Sequence, residues 1–310
     1  MKRVLLLLSV LSGLFLVGCN RVLGTDRYTD DEPFYISVED RSLDILQLTD
    51  LHLNHRFDPD DQLTFQTISE MVQSRDWDMV VITGDLFLST SAPAQMKRLV
   101  NHMESLNTPW TFVFGNHETD FHTYTPLLDA IGETELLRFK VGPDLGDGAC
   151  GVFRMVFTWE DQPFYSLYLM DSHPEDEEGR HRFLSTEQVA WYESHVGEDD
   201  HPSLVFTHIP LIQFAEAETY EGVFEEPRVF SQERETGMFD AMVRQGKTVG
   251  FFCGHDHLND FKFDREGILF AYGRVTGHND YGDLEKGGRV IEIDESGAMN
   301  TYVLLQKDLD

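Results

Sequence analysis

Five short polar blocks punctuate this chain, each placed directly after an apolar, strand-like run. They are Asp50-Leu51-His52, Gly84-Asp85, Gly115-Asn116-His117-Glu118, His208, and Gly254-His255-Asp256-His257. A chain that ends strand after strand in this way gathers its polar ends at one edge of a sheet, where open α/β sheets assemble their ligand sites. With Glu118 and Asp256 set aside, the blocks supply two Asp, one Asn, four His and one further His. That set suffices for two metal ions held side by side, with one side chain left over for acid chemistry.

The segments between the blocks alternate in character. Ile45 to Leu48 reads as a strand, Asp61 to Ser74 as a helix with Phe65, Ile68 and Val72 on one face, and Met79 to Thr83 as a strand covered on both faces. Ala94 to Leu106 sets Met96, Leu99, Val100, Met103 and Leu106 at helical spacing, and Trp110 to Phe114 is the next strand. This β-α-β-α-β order implies parallel strands joined by right-handed crossovers. Gly151 to Trp159 and Phe164 to Met170 then read as paired strands, and Ser185 with Gln188 as a capping box opening a helix through His195. Ser203 to Phe206 and Val249 to Phe252 are short strands, with a helix expected between them near Glu235 to Arg244. The tail, from Phe261 to Leu305, has the pattern of antiparallel pairs. The expected fold class is α/β, with two packed mixed sheets flanked by helices in one domain spanning 40–310.

The amino terminus is a different kind of segment. Lys2 and Arg3 precede an apolar run from Val4 to Gly18, which is short for a bilayer span and suits a secretory signal. The run closes in Leu16-Val17-Gly18-Cys19, which resembles a bacterial lipobox. The expectation is therefore a signal peptide over 1–18, a lipidated Cys19, and a segment through residue 39 that holds a tether and a first strand. The mature protein would sit on the outer side of the cytoplasmic membrane, attached only through that lipid. Cys150 and Cys253 give no disulfide framework and read as buried free thiols. A formal charge of −31 argues against nucleic acid as a partner and against attraction to an anionic membrane surface.

The spacing of the blocks suggests how they would grip metal. Asp50 and His52, two apart at a strand end, are expected to leave on the same side, and His255 and His257 have the same spacing. Asp85 follows Gly84, which lets the backbone turn, and its two oxygens could bridge two ions. A mixed Asp, Asn and His shell without thiolate suits Zn, Fe, Mn or Co rather than Cu(I) or an iron–sulfur cluster.

The ordered pattern D-x-H, G-D, G-N-H-E, H, G-H-x-H resembles the calcineurin-like metallophosphoesterases from about residue 43 to 295. Longer stretches, including Leu46 to His52, Val189 to Tyr192, Thr207-His208-Ile209-Pro210, Gly254 to Phe261 and Tyr272-Gly273-Arg274, look like the atypical purple acid phosphatase branch. The resemblance implies a four-layer α/β/β/α sandwich with metals at one edge. It further implies that Asp50, His52 and His257 hold one metal, that Asn116, His208 and His255 hold the other, and that Asp85 bridges them. His117 would face the substrate as acid or charge stabiliser. The implied cofactors are two divalent or trivalent ions (Mn, Fe or Zn). The implied reaction is in-line attack of a metal-bridging hydroxide on a small phosphoester. Leu88 stands where the coloured members of that group have a Tyr, so no purple colour is expected.

Several neighbours carry two readings each. Glu118 and Asp256 could orient His ligands or serve turns; Arg274 could clamp a phosphate oxygen or form a structural salt bridge. His278 and Tyr281 could shape the pocket, and His122 follows the Gly-Asn-His loop. The alternative for the whole chain is a surface lipoprotein that binds metal without catalysis.

Overall fold

The parallel half of the fold follows from continuous apolar runs that need cover on both faces. The protein is described here by a computed structural model covering residues 28–174 and 182–309. It begins with β1 (Phe34–Ser37), then β2 (Leu43–Leu48), α1 (Pro59–Gln73), β3 (Met79–Thr83), α2 (Ala92–Ser105), β4 (Trp110–Val113) and α3 (Tyr124–Ile131). All five residues of β3 are buried. It pairs in parallel with β2 on one side and β4 on the other. Asp58 caps α1 by accepting from the Asp60 amide at 3.0 Å, and Pro59 supplies a preset first turn.

The second half adds β5 (Phe153–Trp159), β6 (Gln162–Leu169), α4 (Thr186–Val196), β7 (Ser203–Phe206), a 3-10 turn at Ile212–Glu216, α5 (Met238–Gln245) and β8 (Thr248–Cys253). It closes with β9 (Lys262–Arg265), β10 (Ile268–Tyr272), β11 (Gly287–Ile293) and β12 (Met299–Leu305). One sheet has seven strands in the order β1-β5-β6-β7-β8-β10-β9, and the other has five in the order β12-β11-β2-β3-β4. Both are mixed.

Strand periodicity explains how the layers stack. Along β6 to β8, Leu167, Leu204, Phe206 and Phe252 belong to a core shared with the five-stranded sheet and with Ile68 and Leu99 of α1 and α2. Tyr168, Val205 and Phe251, one residue out of phase, face a second core with Tyr192 of α4 and Met242 of α5. The result is two mixed sheets packed together and flanked by helices. Cys150 and Cys253 are buried free thiols.

Some sequence expectations need correction. The first strand expected in the segment through residue 39 is present, but the described residues ahead of it are fastened to the domain rather than forming a tether. Residues 34–37 pair in parallel with β5, the Trp191 indole donates to Asp31 at 2.7 Å, and Lys140 bonds Asp30, so the domain starts before residue 40. Half of the capping box forms: Ser185 accepts from the Gln188 amide at 3.0 Å. The Gln188 side chain instead donates to the Asp171 carbonyl, at 2.8 Å. Helix α5 starts at Met238 rather than Glu235 because Gly237 turns left-handed (φ 100°) just before it. The short α3 has no counterpart in the sequence reading. The signal segment and Cys19 lie outside the described residues. Among the described residues no helix is long and apolar enough to cross a membrane.

Candidate metal centre

The ligand-bearing residues do not sit on strands. They occupy turns just beyond them. Asp50 (φ 54°), His52 (φ 45°), Asp85 (φ 50°) and His255 (φ 81°) are all left-handed, a conformation that Asp and His tolerate better than most residues. The same-side argument from strand spacing therefore groups Asp50 with His52 for the wrong reason, and it fails for His255 and His257, which join different sets. Two of these turns run side by side: the amides of Asp50 and His52 donate to the carbonyls of Gly84 and Asp85 at 3.2 and 2.9 Å. Glycine is required between them. A Cβ on Gly84 would lie 2.5 Å from the His208 ring, and one on Gly115 would lie 2.3 Å from an Asp85 carboxylate oxygen.

The turns bring two sets of ligand atoms together. Asp50, His52, Asp85 and His257 present atoms within 4.8 Å of one another, and so do Asp85, His208 and His255. Asp85 belongs to both sets. Asn116 joins the second, its Oδ1 lying 3.0 Å from His208 Nε2. His208 Nε2 is 3.2 Å from Asp85 Oδ2, and His52 Nε2 is 3.4 Å from the same oxygen. His257 Nε2 lies 3.4 Å from Asp50 Oδ1 and 3.0 Å from His52 Nε2. His208 Nδ1 donates to the Thr83 carbonyl at 2.8 Å, which leaves its Nε2 facing the centre.

These residues fit a pair of cations. Buried carboxylates and imidazole nitrogens converge with few donors among them, an arrangement that is costly unless positive charge compensates it. Burial opposes charge on Asp85 and His208. Each nevertheless holds the other ionised, Asp85 well below the carboxylate range and His208 up to about 10. Burial takes His52 the other way, down to about 4.

His117 stands beside these ligands without joining either set. Its amide donates to Asp85 Oδ1 at 3.1 Å, and its ring lies 5.6 Å from that of His52. Nδ1 pairs with Asp120 Oδ2 at 2.8 Å. Burial lowers the basicity of His117, but Asp85 and Asp120 more than offset that. Asp120 is absent from the sequence reading, although a carboxylate three residues on, in a tight loop, is the signal that could have found it.

The structure sorts the neighbours. Glu118 touches no His ligand. Its Oε1 accepts from the Leu86 and Phe87 amides and its Oε2 from Gly115 at 2.6 Å, so it ties the Asp85 turn to the Asn116 turn. Burial and nearby Asp85 push its carboxyl up to about 8. Asp256 accepts from the Tyr272 hydroxyl at 2.7 Å and the Phe230 amide at 3.1 Å rather than from a histidine. The clamp reading of Arg274 is corrected: its buried guanidinium bonds Asp260 at 2.6 Å and the Glu285 carbonyl at 2.7 Å. His278 bonds Thr67 of α1, and His122 bonds the Thr90 carbonyl. Tyr281 does face the site, lining with Leu88, Phe230, His117 and five of the seven candidate ligands a cleft of about 590 Å³.

A sequence profile described as calcineurin-like phosphoesterase matches residues 43–259. The chain is 24% identical over 314 positions to the Arabidopsis thaliana protein named "Probable inactive purple acid phosphatase 28", covering 85% of this chain and 78% of that one. It is 28% identical over 184 positions to a Synechococcus protein named "Probable cyclic nucleotide phosphodiesterase", covering 55% and 59%. Its fold is similar to the crystal structure of a dimetal phosphatase from Danio rerio, with TM-score 0.54 and 14% identity over 81% of this chain and 95% of the other. With well over half of its length matched by that profile, the chain belongs to the calcineurin-like phosphoesterase family.

Proposed function

We propose that this protein is a phosphoester hydrolase working through a dinuclear metal centre. The observation that carries the reading is the pair of ligand sets sharing Asp85, with His117, which belongs to neither, standing beside them. Asp50, His52 and His257 would hold one ion, Asn116, His208 and His255 the other, and Asp85 both. Their oxygen and nitrogen donors suit Mn, Fe or Zn. Two such ions, when bound, lower the pKa of a water and offset the charge of a phosphate.

The rest belongs to the chain. Asp120 accepts from Nδ1 of His117 and thereby turns Nε2 away from itself, toward the cleft. The raised basicity of His117 favours a proton on that nitrogen, where it can be given to a leaving oxygen. Glu118 fixes the distance between the turns that carry Asp85 and Asn116. A binding protein without catalysis has no use for the His117–Asp120 pair, and this favours an enzyme over the alternative. The word "inactive" belongs to the name of the Arabidopsis relative; in this chain all seven ligand positions carry coordinating side chains.

The substrate in this reading is a small phosphoester, with no role for nucleic acid. The protein is held outside the cytoplasmic membrane through lipidated Cys19, which mass spectrometry of the amino-terminal peptide would test. The central experiment is metal analysis of the full chain together with hydrolysis of p-nitrophenyl phosphate and bis-p-nitrophenyl phosphate, with and without added Mn or Zn. Two bound ions with metal-dependent turnover are expected. Bound metal with no turnover across a broad phosphoester panel would instead support the binding protein.

A further inference from the structure

Tyr281 is held over the metal centre by more contacts than a surface loop residue needs. Its ring stacks on that of His257, with centroids 4.4 Å apart and planes 14° from parallel. Its hydroxyl donates to the buried Glu226 carboxylate, which also accepts from the Leu258 amide at 3.2 Å. The loop beneath it is fastened on both sides. The Gly277 amide donates to the Asp50 carbonyl at 3.1 Å, His278 to Thr64 at 2.9 Å and the Asn279 side chain to Asp61 at 2.8 Å, while Asp280 pairs with Lys286 at 2.5 Å. Gly282 lies so close to Leu258 that a Cβ there would sit 2.3 Å from its methyl.

Despite this anchoring Tyr281 is 49% exposed, and it lines the cleft together with Phe230 and Leu88, itself 39% exposed. Aromatic and aliphatic surface is thus presented beside the ligands, on a support that cannot easily swing away. Burying such surface is favourable, and a π-face fixed in advance binds another planar ring at little ordering cost.

We propose that Tyr281, with Phe230 and Leu88, forms a platform for a planar aromatic group esterified to the phosphate, so that the substrates are aryl or nucleoside phosphoesters. This rests on the phosphoesterase reading and adds to it the class of the esterifying group. Tyr281 is then a specificity-determining residue.

The test uses three non-hydrolysable phosphonates of equal charge, phenyl-, cyclohexyl- and methylphosphonate, titrated calorimetrically into the manganese-loaded full chain. Phenylphosphonate is expected to bind about ten-fold or more tightly than methylphosphonate, the size of a ring-stacking contact, and more tightly than cyclohexylphosphonate. Tyr281→Ala should weaken phenylphosphonate binding several-fold more than methylphosphonate binding and so remove most of that preference, and Tyr281→Phe should keep it. Equal binding of phenyl- and cyclohexylphosphonate, or of phenyl- and methylphosphonate, would overturn the proposal while phosphoester turnover persisted. So would equal weakening of all three by Tyr281→Ala, which would make the ring a support for His257. Loss of all phosphonate binding in the parent protein, with no turnover of any phosphoester, would instead remove the phosphoesterase reading itself.

Discussion

The Asp120 carboxylate lies 2.8 Å from Nδ1 of His117, three residues earlier in the same loop. An acid held in this way has one tautomer and one orientation. Replacing Asp120 with Asn should lower kcat by about 10–100-fold, against about 10²–10⁴-fold for His117→Ala. Metal content should stay at the parent value in both, because neither residue belongs to a ligand set. The double variant should be no slower than His117→Ala alone, since the two side chains act as one unit. Steady-state kinetics with metal analysis on all three variants checks this. Additive losses would separate Asp120 from the action of His117.

Gly115 touches Asp85, the carboxylate common to both ligand sets. A Cβ at this position would lie 2.3 Å from Asp85 Oδ1 and 2.4 Å from its backbone nitrogen, so Gly115→Ala must displace Asp85. The variant should keep its far-ultraviolet circular dichroism but bind Mn or Zn at least about ten-fold more weakly, as expected when a contact that orients a ligand is disturbed. Equilibrium dialysis measures this. Unchanged affinity would put the bridging role of Asp85 in doubt.

An ion pair near the end of β6 sets a pH dependence. His173 lies 3.5 Å from Asp147, both side chains being nearly buried. Burial lowers the basicity of His173, but Asp147 and Asp171 raise it above 6.5 on balance. Burial raises the Asp147 carboxyl, yet His173 and Ser185 bring it well below 3.8. The His173 contribution is complete below pH 6.5 and fades as pH rises through its elevated pKa. The Asp147 contribution is complete above 3.8 and fades as pH falls through its depressed pKa. Asp147→Asn should therefore cost about 2 kcal/mol of unfolding free energy between pH 4 and 6.5, and less at pH 9. Urea titrations of parent and variant at pH 5.5 and 9 decide it; a cost independent of pH would mean that Asp147 acts through Ser185 alone.

The parallel strands were legible because β2, β3 and β4 are predominantly apolar and α1 and α2 keep clean helical spacing between them. The ligand blocks were legible because Gly, Asp, Asn and His at successive strand ends have few other reasons to recur. What escaped the sequence depends on turn geometry. The pairing of Asp120 with His117, the three amides gathered by Glu118 and the stacking of Tyr281 on His257 all arise where the chain leaves regular structure. There the direction of a side chain follows from φ and ψ rather than from a period. Arg274 was ambiguous because its partner, Asp260, comes from a loop that no local pattern ties to it.

Four of the seven candidate ligands are attached to backbone that most residues avoid. Each such position costs about 1–3 kcal/mol unless its surroundings hold it in place. Grafting these seven side chains onto another α/β scaffold would fail unless their bends and the intervening glycines travelled with them. The inheritable unit is the path of the chain, and the residues that meet a cation are its last and most replaceable part.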